Sequence, residues 1–206
     1  MEAEKLFLRL KNDYKKIFIT ENRINKIAKN QYAFIARRDL QIMYDGLFLK
    51  SVTIFESFIE ELFIGLLYDN YELKTRKKVQ KHTFPSRKLV MNFLKHKNNY
   101  IELMPYSKLR DSSKIFFNEN NPFLSIQENS KNSLNEIYVI RNAIAHNSQF
   151  ALIKYKKLLQ TKGVNNPQLV KSPSSFLKSY HSNNQSIFKN YILELNYIAN
   201  YIVNYR

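Results

Sequence analysis

Cysteine is absent from the 206 residues, and glycine and proline are scarce, at three and five. Without cysteine there are no disulfides, no thiolate metal sites and no cysteine nucleophile, and the chain suits a reducing compartment. Gly46, Gly65 and Gly163 are too few and too scattered for a glycine-rich phosphate loop or a dinucleotide fingerprint. Sandwiches, barrels and α/β folds need many tight turns, so a chain this poor in turn formers reads as all-helical. Long apolar runs are missing too. The first sixteen residues alternate charged and apolar side chains, which is not a secretory signal. The most apolar stretch, residues 47–68, carries Lys50, Glu56, Glu60 and Glu61. Charges at that density are costly at mid-bilayer, so no membrane partner is expected and the expected location is cytoplasmic.

What is present is enough to fold. Hydrophobic residues make up 44% of the chain and aromatics 14%, sufficient for a core, and the length predicts a single domain over residues 1–206. Apolar spacings of three and four predict a first helix over 3–18, with Leu6, Leu10, Tyr14 and Ile17 inward. A longer periodic run covers 25–68, its later half striped by Phe48, Val52, Phe55, Ile59, Leu62 and Leu66. Further helices are expected from Pro85 to Lys95, with Leu89, Phe93 and Leu94 inward, and over 105–117, 125–146, 150–159 and 186–205. Residues 163–175, with Pro167 and Pro173, read as the largest loop. The expected fold is an all-α, antiparallel up-and-down helical bundle of about four main helices plus short accessory helices.

Charge is the strongest compositional signal: 33 basic against 17 acidic residues give a net of +16. It is not spread evenly. Residues 71–115 carry a net of +9 and residues 147–206 a net of +7, around a near-neutral segment. Abundant Lys and Asn together are also what a codon bias would produce, but bias does not concentrate charge in two blocks. A polyanion partner, bound through its phosphates, is the reading favoured.

Four histidines are present, His82, His96, His146 and His181, and none pairs with another at metal-ligand spacing. No metal or cofactor is therefore expected. Three of them stand in basic, polar surroundings, whereas His146 ends the run Ile140-Arg141-Asn142-Ala143-Ile144-Ala145-His146-Asn147. Asn142 and His146, four apart, share a helix face. Arg141 and His146 are about 140° apart around the axis and would flank a shared groove. The residue types suit a phosphodiester. A guanidinium holds non-bridging oxygens and stabilises charge as it builds, while an imidazole moves protons near neutrality. Asn142 would orient the ring or hydrogen-bond the phosphate. Spacing alone equally allows an Arg–Asn–His network that pins the bundle.

The stretch from Arg141 to His146 resembles the signature of the HEPN superfamily: an Arg, four to six residues, then His, with Asn commonly after the Arg. Residues 51–62, with Glu56 among large apolar side chains, are similar to the long helix of such domains, and 147–152 resembles the segment that follows the motif. The resemblance implies a bundle that pairs as a homodimer, so that two motifs face one RNA substrate. The activity it implies is metal-independent endoribonuclease cleavage leaving a 2′,3′-cyclic phosphate. It also implies a role in toxin–antitoxin or antiphage systems, with an antitoxin or other regulatory protein as a further partner. On this reading Arg141, His146 and Asn142 are catalytic. Glu56 and Asn147 are supporting residues, Glu56 either steering the pair or pointing to solvent. Tyr100, Tyr106, Tyr155 and Tyr180 would either stack unpaired bases or pack at the bundle rim. The alternative is a HEPN-like module that binds RNA or dimerises without catalysis. A DNA-binding helical protein has the charge in its favour but lacks helix-turn-helix spacing.

Overall fold

The computed structural model describes residues 3–29, 35–75, 78–95, 101–146, 148–164, 171–179 and 185–205. Eight α-helices are found among them: α1 (Ala3–Lys29), α2 (Arg37–Leu67), α3 (Arg87–Lys95), α4 (Tyr106–Phe116), α5 (Glu128–His146), α6 (Gln149–Thr161), α7 (Pro173–Lys178) and α8 (Ile187–Val203). The described residues contain no strand, and isolated bridges occur, one of them between Gln80 and Phe117. The fold is an all-α helical bundle in which α1, α2, α5 and α8 are the four long helices.

The chain forms two compact units, each assembled from separate segments. The first comprises Met1–Asn12, Ile54–Leu134 and Leu195–Arg206. Its centre is a cluster of rings around Phe63, with centroids 4.8 Å to Phe117 and 5.2 Å to Phe123. Burying and orienting aromatic edges in this way is a large source of stabilisation. Here α2 stops in a Schellman turn. The Asn70 N–H donates to the Gly65 carbonyl at 2.8 Å, the Asp69 N–H to that of Leu66, and Asp69 takes the left-handed φ of 61°. The chain then passes so close to α2 that the Tyr71 ring covers Gly65, where a Cβ would collide with it.

The second unit comprises Asp13–Thr53 and Asn135–Glu194 and holds the Arg–His motif. Within it α1 lies antiparallel to α2: the Tyr14 hydroxyl donates to the Ser51 carbonyl, and further along α1 the Tyr44 hydroxyl donates to Asn25 Oδ1 at 2.6 Å. Phe188 of α8 meets Tyr44 edge-on at 5.9 Å and lies 6.3 Å from Phe48. Glu21 is buried, held by the Ser186 hydroxyl at 3.0 Å, and burial raises its pKa.

Element boundaries differ from the sequence reading in three places. The first helix continues to Lys29 and the second begins at Arg37, where periodicity had started the second near residue 25. The difference is tertiary: Ile24 is buried, and Glu21 and Asn25 hold partners on other elements. Inside the expected loop of 163–175 the chain starts α7, with Ser172 capping through the Ser175 N–H and Pro173 in the first turn. Burial of Phe176 and Leu177 fixes this short helix. On α3 the buried pair is Val90 and Leu94, while Leu89 and Phe93 are exposed. Two i, i+4 pairs one residue apart fit the same spacing, so only a neighbouring surface selects between them.

Candidate active site

The site is built on the last two turns of α5. Leu134, Ile137, Ile140 and Ala143 are buried and anchor one face of the helix. Along the same face, between Ile140 and Ala143 in helical projection, Glu136 accepts from the Tyr191 hydroxyl of α8 at 2.9 Å and pairs with Lys162, just beyond α6, at 2.6 Å. Burial, followed by the neighbouring Glu136 carboxylate, raises the pKa of Tyr191, so its hydroxyl stays a donor. Glu136 thus ties α5 to the elements on both sides. The sequence reading missed it, although a lone carboxylate among apolar residues five positions before Arg141 was its signal.

Arg141, Asn142 and His146 come together. Arg141 Nη1 donates to Asn142 Oδ1 at 3.1 Å and lies 3.2 Å from His146 Nε2. A guanidinium only donates, so in this arrangement Nε2 accepts and the ring proton sits on Nδ1. Arg141 and Asn142 are half-buried and His146 is exposed at the helix end. The arginine and histidine therefore touch instead of flanking a groove, because a long side chain spans the angle between the two Cβ positions. What results is an imidazole exposed at the helix end, its Nε2 turned to a cation that also donates to an amide oxygen.

The other sequence-derived residues are placed as follows. Glu56 lies half-buried on α2 within the first unit. Asn147 lies outside the described residues, as do His96, His181, Tyr100 and Tyr180. Tyr106 and Tyr155 are 7% and 1% exposed, so both are core residues and not base-stacking ones. The Tyr155 hydroxyl donates to the Lys171 carbonyl at 2.9 Å, and Tyr106 donates to that of Phe123. The exposed aromatic nearest in sequence to the motif is Phe150, 67% exposed.

Part of the basic excess is spent locally. Arg87 binds Glu61 at 2.7 Å, Lys78 binds Asp69 at 3.3 Å, and Lys108 pairs with Glu102. All three belong to the block 71–115. In the other block α6 contains Lys154, Lys156 and Lys157, all exposed, and no acidic residue. Among the described residues no three His, Asp or Glu side chains gather as a metal ion would need, and no helix is long and apolar enough to cross a membrane. Comparison with protein-family models, with curated proteins and with solved structures finds no match to the chain.

Proposed function

We propose that the chain is a metal-independent endoribonuclease in which His146 moves the protons, Arg141 holds the phosphate and Asn142 holds Arg141. The observation that carries this reading is the 3.2 Å contact between Arg141 Nη1 and His146 Nε2 at an exposed helix end. The resemblance of Arg141–His146 to the HEPN signature and the acid-free lysines of α6 support it.

A phosphodiester entering the site competes for the guanidinium, which forms stronger bonds to phosphate oxygens than to a neutral imidazole. Arg141 then releases Nε2, which takes the proton of the ribose 2′-hydroxyl. The 2′-oxygen attacks phosphorus, the bond from phosphorus to the 5′-oxygen breaks, and the leaving 5′-oxygen takes a proton. The products are a 2′,3′-cyclic phosphate and a 5′-hydroxyl. Water is not consumed and no metal is needed for the balance. The family likeness adds a homodimer, in which a second copy of His146 supplies the departing proton. It also adds a role as toxin or antiphage effector, restrained by an antitoxin or another regulatory protein.

The contacts within α5 favour one second reading. A guanidinium that already satisfies Asn142 and His146 also serves a helix end that only binds RNA. A cleavage assay on mixed cellular RNA in EDTA, comparing wild type with His146→Ala, separates the two. Fragments ending in 2′,3′-cyclic phosphate from wild type alone are the expected result. Strict Mg²⁺ dependence, or equal cutting by both proteins, would sink the mechanism.

A further inference from the structure

The exposed face of α6 deepens that reading, and rests on it, by naming the form of RNA the site takes. Ser148 caps α6 by accepting from the Ala151 N–H, so the helix starts three residues after α5 ends at His146. Phe150 follows His146 by four positions, a length of chain that can span no more than about 14 Å. Ala151, Tyr155, Leu158 and Leu159 point inward and hold α6 in the second unit. That orientation turns Phe150, Ile153, Lys154 and Lys157 outward along one face, at spacings of three and four. The Lys154 ammonium stands 4.3 Å from the centroid of the Phe150 ring. The ring is 67% exposed, and the cation beside it leaves one π-face contact of the kind a base would share.

We propose that Phe150 is a stacking platform for an unpaired base beside the scissile phosphate, with Lys154 and Lys157 holding the backbone, so that the substrate is single-stranded RNA. Every base has a π-face, whereas a base inside a duplex offers none. The lysines with no acid in the helix argue for a polyanion on this face; an apolar protein surface would leave their charges buried against it. Ile153, 58% exposed, widens the apolar platform next to the ring.

The test is binding of a 2′-O-methyl RNA single strand, which cannot be cleaved, and of the same strand in a duplex. Wild type, Phe150→Ala, Phe150→Trp and Lys154→Gln are compared by fluorescence anisotropy, with the mass of each protein in solution checked by sedimentation. Stacking on one aromatic contributes about 1–3 kcal/mol, so Phe150→Ala should weaken single-strand binding at least fivefold. Phe150→Trp should restore it, and duplex binding should be unmoved. Tight single-strand binding by Phe150→Ala would overturn the platform while leaving the nuclease reading intact. Loss of a dimer in Phe150→Ala would assign this face to a second copy of the chain and likewise overturn it. Wild type that neither binds nor cuts RNA would overturn both.

Discussion

At the scale of single residues, the proposed mechanism divides labour between a group that would move protons and a group that would hold charge. His146→Ala should lower cleavage by about 10²–10⁴-fold, the usual share of general acid–base catalysis. RNA affinity and the melting temperature should stay unchanged, since the residue is exposed at the helix end. Arg141→Ala should abolish cleavage and weaken RNA binding as well, which anisotropy on an uncleavable strand reads directly. Arg141 and His146 were legible in the sequence because two rare, chemically apt side chains end an apolar helix. Their mutual contact was not, because spacing fixes Cβ directions while the reach of a guanidinium depends on its rotamer. Tyr155 shows the same limit from the other side. Its sequence context is basic and polar, yet its ring stands edge-on to Phe176 with the centroids 6.3 Å apart.

Helices and their junctions carry a different set of consequences. Gly65→Ala would thrust a methyl into the Tyr71 ring at the end of α2 and should cost about 1–3 kcal/mol, as overpacking does. Urea unfolding would show it as a lower midpoint. Asp45, on α2, accepts the Ser174 N–H at the start of α7, while its Oδ1 is buried without a hydrogen bond. Burial raises its pKa from 3.8 to about 6. A carboxyl that binds its proton more tightly when folded favours the folded state at low pH, and that advantage fades as pH rises from about 4 to about 6. Asp45→Asn keeps the acceptor for Ser174 and removes the charge. It should therefore raise the melting temperature at pH 7 and change it little at pH 4. The α7 cap, Ser172 followed by Pro173, is a sequence signal for a helix start. Two prolines and a glycine nearby made the whole segment read as loop, and burial of Phe176 and Leu177 tipped the balance.

For the molecule as a whole, net charge is the dominant property. If a chain at +16 binds RNA as proposed, it releases counterions, so affinity should fall steeply with salt. Lys157→Gln should weaken binding to all single strands alike. It should also flatten the slope of log affinity against log salt by about 0.7, the share of one phosphate contact on a single strand. An unchanged slope would remove α6 from the RNA surface. The block 71–115 should matter less per residue, since Lys78, Arg87 and Lys108 already face carboxylates.

The sequence by itself determined that the protein is helical, that helices lie near the later half of α2, α5 and α8, and which helix end bears an arginine and a histidine. Those follow from local causes: few turn formers, apolar residues every three or four positions, and covalent neighbours. Tertiary structure alone decided where α1 ends, which face of α3 is buried and that Tyr106 and Tyr155 are core. It also decided that Phe150 is the exposed ring beside the motif. The reason is physical. Periodicity defines a helix face only to within about 100°, and which part of that face meets water depends on neighbours distant in the chain.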